Sequence, residues 1–393
     1  MVPANDWLNF PVSSRLHSIF ERLADRHEIH VIRYPSPLWN TPRKSKAIVH
    51  EANGVAIRDL SLYYALNASN HLALIENILK SCKIDIIVFA NILTGAEAAL
   101  LGKIHGVPLV CDYLDHFPES ASSYYDNQFS KSLVQGVVLG ITRWNLNKAN
   151  GVVTVSKSFA NWLTDSAGVR NLSLIPNGVD LEVFKPMERN VAQERLGLEK
   201  LKQKFVITYT GTVESWYDLD VVAQATHRLN CLGIPSVFQI VGGHLVTQNN
   251  NRFVGFENDI LQTGFVDHKQ VSLYLNASDV CVLPLRKMAK NLTRPLKLLE
   301  YFACGKPVLS LPNSELEHEY GDALTIFNSA EELMEIFLKI VADPLVFSSK
   351  IERGYKYAQK NSWESHARRY ESFLESILRK KVNNLNSNGE CEN

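Results

Sequence analysis

The residues best suited to chemistry lie at 291–309, NLTRPLKLLEYFACGKPVL. Pro295 suits the first position of a helix, with Thr293 or Arg294 near its cap. A helix starting there presents unpaired N–H groups and a partial positive charge, which favours a phosphate. Lys297 in the first turn adds a full charge, and Arg294 just before it can fork onto phosphate oxygens. Glu300 follows Lys297 by three residues, so both project from one face. Its carboxylate can accept two hydroxyl hydrogen bonds, as a ribose offers. The spacing by itself fits equally a surface helix on which Lys297 and Glu300 pair only with each other.

Such a helix needs a sheet to hold it, and the chain supplies strands and helices in alternation. An amphipathic helix at 14–26 precedes a strand at 27–34. Further strands follow at 84–90, 108–111, 151–155 and 172–175. The run at 84–90 (IDIIVFA) is almost wholly apolar, as in a parallel strand buried on both faces. After a polar linker at 198–204 the pattern restarts, with strands at 205–209, 237–241, 260–266, 280–284 and 307–311 and an edge strand at 325–327. Helices at 218–232, 271–276 and 295–304 lie between them. This is an α/β chain of two Rossmann-like domains facing each other across a cleft, and ligands of open α/β sheets bind at the carboxyl ends of the strands. The expected division is 1–185 for an N-terminal acceptor domain and 186–362 for a C-terminal donor domain. A helix at 363–381 packs back on the first, and 382–393 is a disordered tail.

Composition narrows the class. Lys+Arg and Asp+Glu number 41 each, so the neutral total argues against a nucleic-acid binder. The six cysteines (Cys82, Cys111, Cys231, Cys281, Cys304 and Cys391) form no CxxC pair, which fits free thiols in a reducing compartment. Residues 1–10 lack a charged n-region and an apolar h-region, and no apolar run is long enough to span a bilayer. The expected location is the cytoplasm, with the inner face of the membrane left open.

Three stretches together resemble the GT-B glycosyltransferases, in particular family 4. RPLKLLEYFACGKPV looks like that family's donor-site signature. IPNGVDLEVFKP at 175–186 resembles its inter-domain segment, and Gly264-Phe265-Val266 with YLNASDVCVLP at 274–284 resembles the stretch ahead of the donor helix. The resemblance spans residues from about 100 to about 375. It implies that Glu300 binds the ribose of a nucleotide, that Lys297 with Arg294 neutralises the diphosphate, and that the main chain around Gly264 and Phe265 borders the base. It also implies a nucleotide diphosphate sugar as substrate, with no metal and no cofactor. Gly211 and Thr212 can add N–H groups at a strand-to-helix turn.

The sequence departs from the pattern in three places. The family's second Glu, eight residues before Glu300, is Leu292 here. The basic pair after the first C-domain strand is absent from 211–219 (GTVESWYDL). No Gly-rich loop follows the residues at 1–5. In the stretch 107–120 (VPLVCDYLDHFPES), Asp115 falls by register on the family's Asp while the usual His falls on Leu114. Asp115 and His116 are the candidates to contact the transferred sugar or orient the acceptor, and Asp112 fits a structural role. Asp218-Leu219-Asp220 reads as a helix start, and Gly242-Gly243 as a ligand approach or a plain turn.

The acceptor is expected to be a glycan or a lipid-linked molecule held by the N-terminal domain. Arg15, Arg22, Arg26, Arg33, Arg43, Lys44 and Lys46, with aromatics at 1–10 and 34–39, suggest a surface that could rest on anionic lipid, or an ordinary solvated face. The apolar stretch 129–144 fits a membrane-docking helix or one packed on the sheet. A retaining transferase is the leading reading. A nucleotide-sugar epimerase of the same fold and a non-catalytic sugar-nucleotide-binding subunit are the alternatives.

Overall fold

The computed structural model describes residues 1–10, 14–35, 43–55, 60–122, 125, 127–213, 216–243, 253–286 and 295–389, with the backbone alone at 60–62 and 382–389. The chain divides into two compact units, Met1–Asn177 with Trp363–Asn393, and Gly178–Ser362.

In the first unit, β1 (His30–Arg33) and β2 (Ile48–Glu51) pair in parallel, and β3 (Ile87–Phe89), β4 (Leu109–Tyr113), β5 (Gly151–Thr154) and β6 (Leu172–Leu174) form a parallel sheet in that order. Val2 joins the two pieces: it bridges Phe89 in parallel, while the Ile32 N–H donates to the Met1 carbonyl at 3.0 Å. Strands β3, β4 and β5 are buried at every position, as their mostly apolar sequences favour, with Asp112 and Thr154 the polar exceptions. The crossovers run through α1 (Arg15–Leu23), α2 (Leu60–Leu66), α3 (Ala68–Ser81), α4 (Leu93–Ile104), α5 (Phe117–Ser122), α6 (Gln128–Lys148) and α7 (Lys157–Asp165). Ser14, Asn127 and Ser156 cap α1, α6 and α7 with side-chain oxygens.

In the second unit, β7 (Phe205–Thr210), β8 (Ser236–Val241), β9 (Ile260–Gln262), β10 (Val280–Leu283), β11 (Val308–Ser310) and β12 (Leu324–Ile326) form one parallel sheet, in the order β12-β11-β10-β7-β8-β9. The order reverses at β7, which makes its carboxyl end the topological switch point. The helices are α8 (Arg189–Arg195), α9 (Leu219–Cys231), α10 (His268–Asn276), α11 (Leu296–Ala303), α12 (Ser314–Tyr320), α13 (Ala330–Ala342) and α14 (Ser348–Lys360). A last helix, α15 (Trp363–Gly389), belongs to the first unit.

Several boundaries differ from the sequence reading. The units divide at Asn177 and Gly178 because Val179 and Phe184 are buried in the second core, and the Val179 N–H donates to the Asn361 carbonyl at 3.0 Å. The stretch at 198–204 is no linker, since Leu201 packs against Val206 and Val237. α10 starts at His268, ahead of the expected 271, because Asp267 accepts from the Lys269 N–H and caps it. Helix α15 continues to Gly389, so 382–389 is helical backbone where a disordered tail was expected, and 390–393 lie outside the described residues.

Two turns of the second sheet touch through glycine. Gly242 has φ +128, and a Cβ there would lie 2.2 Å from the Gly211 carbonyl oxygen. Gly242→Ala should therefore cost about 2–3 kcal/mol, read as a fall in Tm of about 5–10 °C. An unchanged Tm would mean that these turns do not meet as described.

Candidate donor site

The site is built on the loops that follow β7, β8 and β9. Gly211, at φ +121, donates its N–H to Val241 O at 2.8 Å, Val213 N–H donates to Gly243 O at 3.2 Å, and Gly242 N–H donates to Gly264 O at 3.0 Å. These bonds tie three strand-end turns into one rigid floor. The Gly211 N–H is consequently spent, which corrects the expectation that it is offered to a phosphate. Thr212 uses its carbonyl to accept from Tyr209 Oη at 2.7 Å, and its N–H has no partner among the described residues.

Helix α11 stands over this floor. Tyr301 anchors it to β7, its hydroxyl accepting from the Thr210 N–H at 2.9 Å. Pro295 is the N-cap rather than the first helical residue, and no side chain caps the helix start. Among the described residues the first-turn N–H groups of Leu296 and Lys297 have no partner. Arg294, like Leu292 and Thr293, lies outside the described residues.

Lys297 does not pair with Glu300. Its Nζ donates to Tyr209 Oη at 2.9 Å and lies 4.2 Å from the ring centroids of both Tyr209 and Tyr217. A Cβ on Gly211 would lie 2.5 Å from Nζ, so glycine at 211 is what lets the ammonium approach the turn. Burial lowers the Lys297 pKa from 10.5 to about 7, opposed in part by the Glu300 charge. Glu300 is 8% exposed, and its Oε1 lies 2.9 Å from His268 Nε2. His268 opens α10, and its ring packs against Phe184 with centroids 5.2 Å apart. Phe265 is half exposed, its ring within about 4 Å of the position a Gly243 Cβ would take, so an aromatic face stands open beside the Gly242-Gly243 turn. Tyr209, Tyr217 and His268 were not found by sequence reasoning. Only the histidine's place at a capped helix start carried any signal.

The first unit gives its candidates local tasks. Asp112 is buried and paired with Arg15 at 3.2 Å, and Arg15 Nη1 also donates to the Pro176 carbonyl at 2.7 Å. The Asp115 carboxylate turns back to accept from the His116 N–H at 2.8 Å. His116 Nδ1 lies 2.5 Å from Tyr113 Oη and its Nε2 3.1 Å from Glu119, with the Trp162 ring edge-on at 4.7 Å. Burial raises the Asp115 pKa and lowers that of His116. Both side chains brace the turn between β4 and α5, and both His116 ring nitrogens have partners there, at the place where a contact to the transferred sugar or the acceptor was expected.

Most of the basic residues named for a lipid surface or a solvated face have carboxylate partners. Arg22, Arg26, Arg33 and Lys46 face Glu364, Glu371, Asp6 with Glu51, and Asp25, while Trp7 and Tyr34 are buried. Asp218 stands at the N-cap position of α9 without a capping bond and pairs with Arg286 at 3.1 Å, in keeping with a structural role. Among the described residues no group of three His, Cys, Asp or Glu is gathered as metal ligands, and no helix is long and apolar enough to cross a membrane.

Two family profiles cover the chain in tandem: "Glycosyltransferase Family 4" matches residues 12–183 and "Glycosyl transferases group 1" matches 204–343. The chain belongs to the family 4-type GT-B glycosyltransferases. It is a transferase, and α11 with its floor lies inside the second profile. The putative teichuronic acid biosynthesis glycosyltransferase TuaH of Bacillus subtilis is 23% identical over 350 residues, covering 81% of this chain and 83% of that protein. Among solved structures, sucrose-phosphate synthase from Thermosynechococcus elongatus superposes with a TM-score of 0.76 at 16% identity, over 97% of this chain and 100% of that one. Anabaena HepE in complex with UDP-glucose gives 0.66 at 16%, over 95% and 99%. The two solved structures share the GT-B fold of this chain.

Proposed function

We propose that this glycosyltransferase takes a sugar from a nucleoside diphosphate sugar, with retention of anomeric configuration, and places it on a glycan or lipid-linked acceptor in polysaccharide biosynthesis. The observation that carries this reading is the arrangement on α11. An ammonium held against a glycine turn beside an uncapped helix start is followed, one turn on, by a nearly buried carboxylate. A diphosphate fits the first feature and a pair of ribose hydroxyls the second. Phe265 offers a stacking face for the base. The HepE complexes with UDP and UDP-glucose support a nucleotide-sugar donor, and the teichuronic acid relative supports a polysaccharide acceptor.

In the proposed step the acceptor oxygen forms a bond to the anomeric carbon from the face the diphosphate leaves. The bond from that carbon to the phosphate oxygen breaks, and the departing oxygen takes the acceptor proton. Lys297 and the α11 N–H groups stabilise the charge that develops on the diphosphate. No protein base is needed, which suits a site where His116 and Asp115 are occupied elsewhere.

Purified protein incubated with a panel of UDP- and GDP-sugars should release the nucleoside diphosphate from at least one. Glu300→Ala should weaken that donor by about 2 kcal/mol, or about thirtyfold in kcat/KM, through lost charge-assisted hydrogen bonds. His268→Ala, which frees the carboxylate without removing it, should cost far less. Absence of turnover across the panel, or an unaffected Glu300→Ala enzyme, contradicts the reading.

A further inference from the structure

Helix α6 buries little of itself. Of its 21 residues only Thr142, Asn145 and Leu146 are buried, whereas Phe129, Leu133, Val137 and Trp144 stand exposed, Phe129 at 76%. At about 100° per residue these four and Gly140 fall within an arc of about 80°, and the buried three lie on the opposite side. The exposed stripe therefore points away from the unit. Across a groove shared with Trp144, α4 adds Leu100 and, one turn further, Ile104, which is 67% exposed.

The charges on this helix have one sign. Residues 128–148 contain Lys131, Arg143 and Lys148 and no Asp or Glu. Arg143 and Lys148 flank the apolar arc on its two sides, and Lys148 Nζ sits 5.8 Å from the Trp144 ring centroid. The one carboxylate on α4, Glu97, is about nine-tenths buried and lies 3.5 Å from His71 Nδ1. An apolar face bordered by cations, with an indole at its edge, matches the boundary between acyl chains and anionic headgroups. A second copy of the chain matches it less well. Joining two such faces would bring cations toward cations, with no carboxylate on α6 to answer them.

We propose that the outward face of α6, extended by Leu100 and Ile104 of α4, is a docking surface for a bilayer containing anionic lipid. The helix lies in the interface with Phe129, Leu133, Val137 and Trp144 among the upper acyl carbons. Arg143 and Lys148 reach the headgroups. Docking here is independent of the donor chemistry on α11, so either can fail without the other.

The test is co-sedimentation of the full chain with phosphatidylcholine vesicles, with and without 30% phosphatidylglycerol. Binding should require the anionic lipid and weaken with added salt. Arg143→Gln with Lys148→Gln should weaken it about 25-fold, taking about fivefold for each cation removed. Leu133→Ser with Val137→Ser should weaken it at least tenfold, and because both positions are exposed, the melting temperature should not move. Three results would overturn the proposal: no binding to anionic vesicles at low salt, binding that responds to the charge pair but not to the apolar pair, or a dimer in analytical ultracentrifugation that the apolar pair abolishes.

Discussion

Replacing Lys297 with alanine should lower kcat/KM for the nucleotide sugar by about 10²–10³-fold, the scale lost when one preorganised charge-stabilising group is removed. The ammonium is held between two tyrosine rings and a glycine turn, so no neighbouring cation among the described residues can take its place. The pH dependence is a second signature of the same group. Burial lowers the free protein's Lys297 pKa to about 7, so at pH 8 the side chain is largely neutral and must take up a proton to meet a diphosphate. Donor affinity should fall by up to about tenfold per pH unit above 7, and calorimetry of UDP binding at pH 8 in buffers of different ionisation enthalpy should show proton uptake. The stability sign is the reverse. Between pH 7 and 10.5 the unfolded chain binds more protons at this lysine than the folded one, so its destabilising effect is full below pH 7 and fades as pH rises to 10.5. Lys297→Met should accordingly melt no lower than the wild type at pH 6.5 while failing to bind donor. A Lys297→Ala enzyme within threefold of the wild type would remove the residue from the mechanism.

Asp112→Ala should cost about 3–5 kcal/mol of stability, because it leaves the Arg15 guanidinium buried with no carboxylate. Burial raises the Asp112 pKa despite the arginine beside it, so desolvation outweighs the Coulombic gain of the pair. Breaking the pair is therefore expected to be worse than removing it. Arg15→Met with Asp112→Leu should recover most of the loss in a denaturant titration. A loss under about 1 kcal/mol for Asp112→Ala would show that water or another group replaces the carboxylate. The pair matters beyond stability, since Arg15 also holds the Pro176 carbonyl, at the end of the first unit's main segment.

The parallel sheets were legible because β3 and β10 are unbroken apolar runs, and β5 and β8 nearly so, set between amphipathic helices. The α11 site was legible for a different reason: Lys297 and Glu300 are local, three residues apart on a helix whose start is marked by proline. Their partners are not local. Tyr209 lies 88 positions from Lys297, and His268 lies 32 from Glu300. Spacing therefore fitted a Lys297–Glu300 pair as well as a ligand site, where the fold gives each residue a distant partner. The partners of Arg22 in α1 and of Arg26 just beyond it were hidden for the same reason, because Glu364 and Glu371 reach them only when α15 folds back. The division at Asn177 rests on Val179 and Phe184, two apolar residues in a segment with no periodicity. Helix α6 shows the limit of composition, since apolar residues read alike whether they face a sheet or solvent.

The central claim is that α11 and the turns beneath it hold a nucleoside diphosphate. A crystal structure of the protein with UDP tests it most directly. The account predicts ribose hydroxyls within hydrogen-bond distance of Glu300 and a phosphate oxygen within about 3 Å of Lys297 Nζ. UDP bound elsewhere, or a Glu300–His268 pair and a Lys297–Tyr209 contact left unchanged in crystals soaked at saturating UDP, would contradict it.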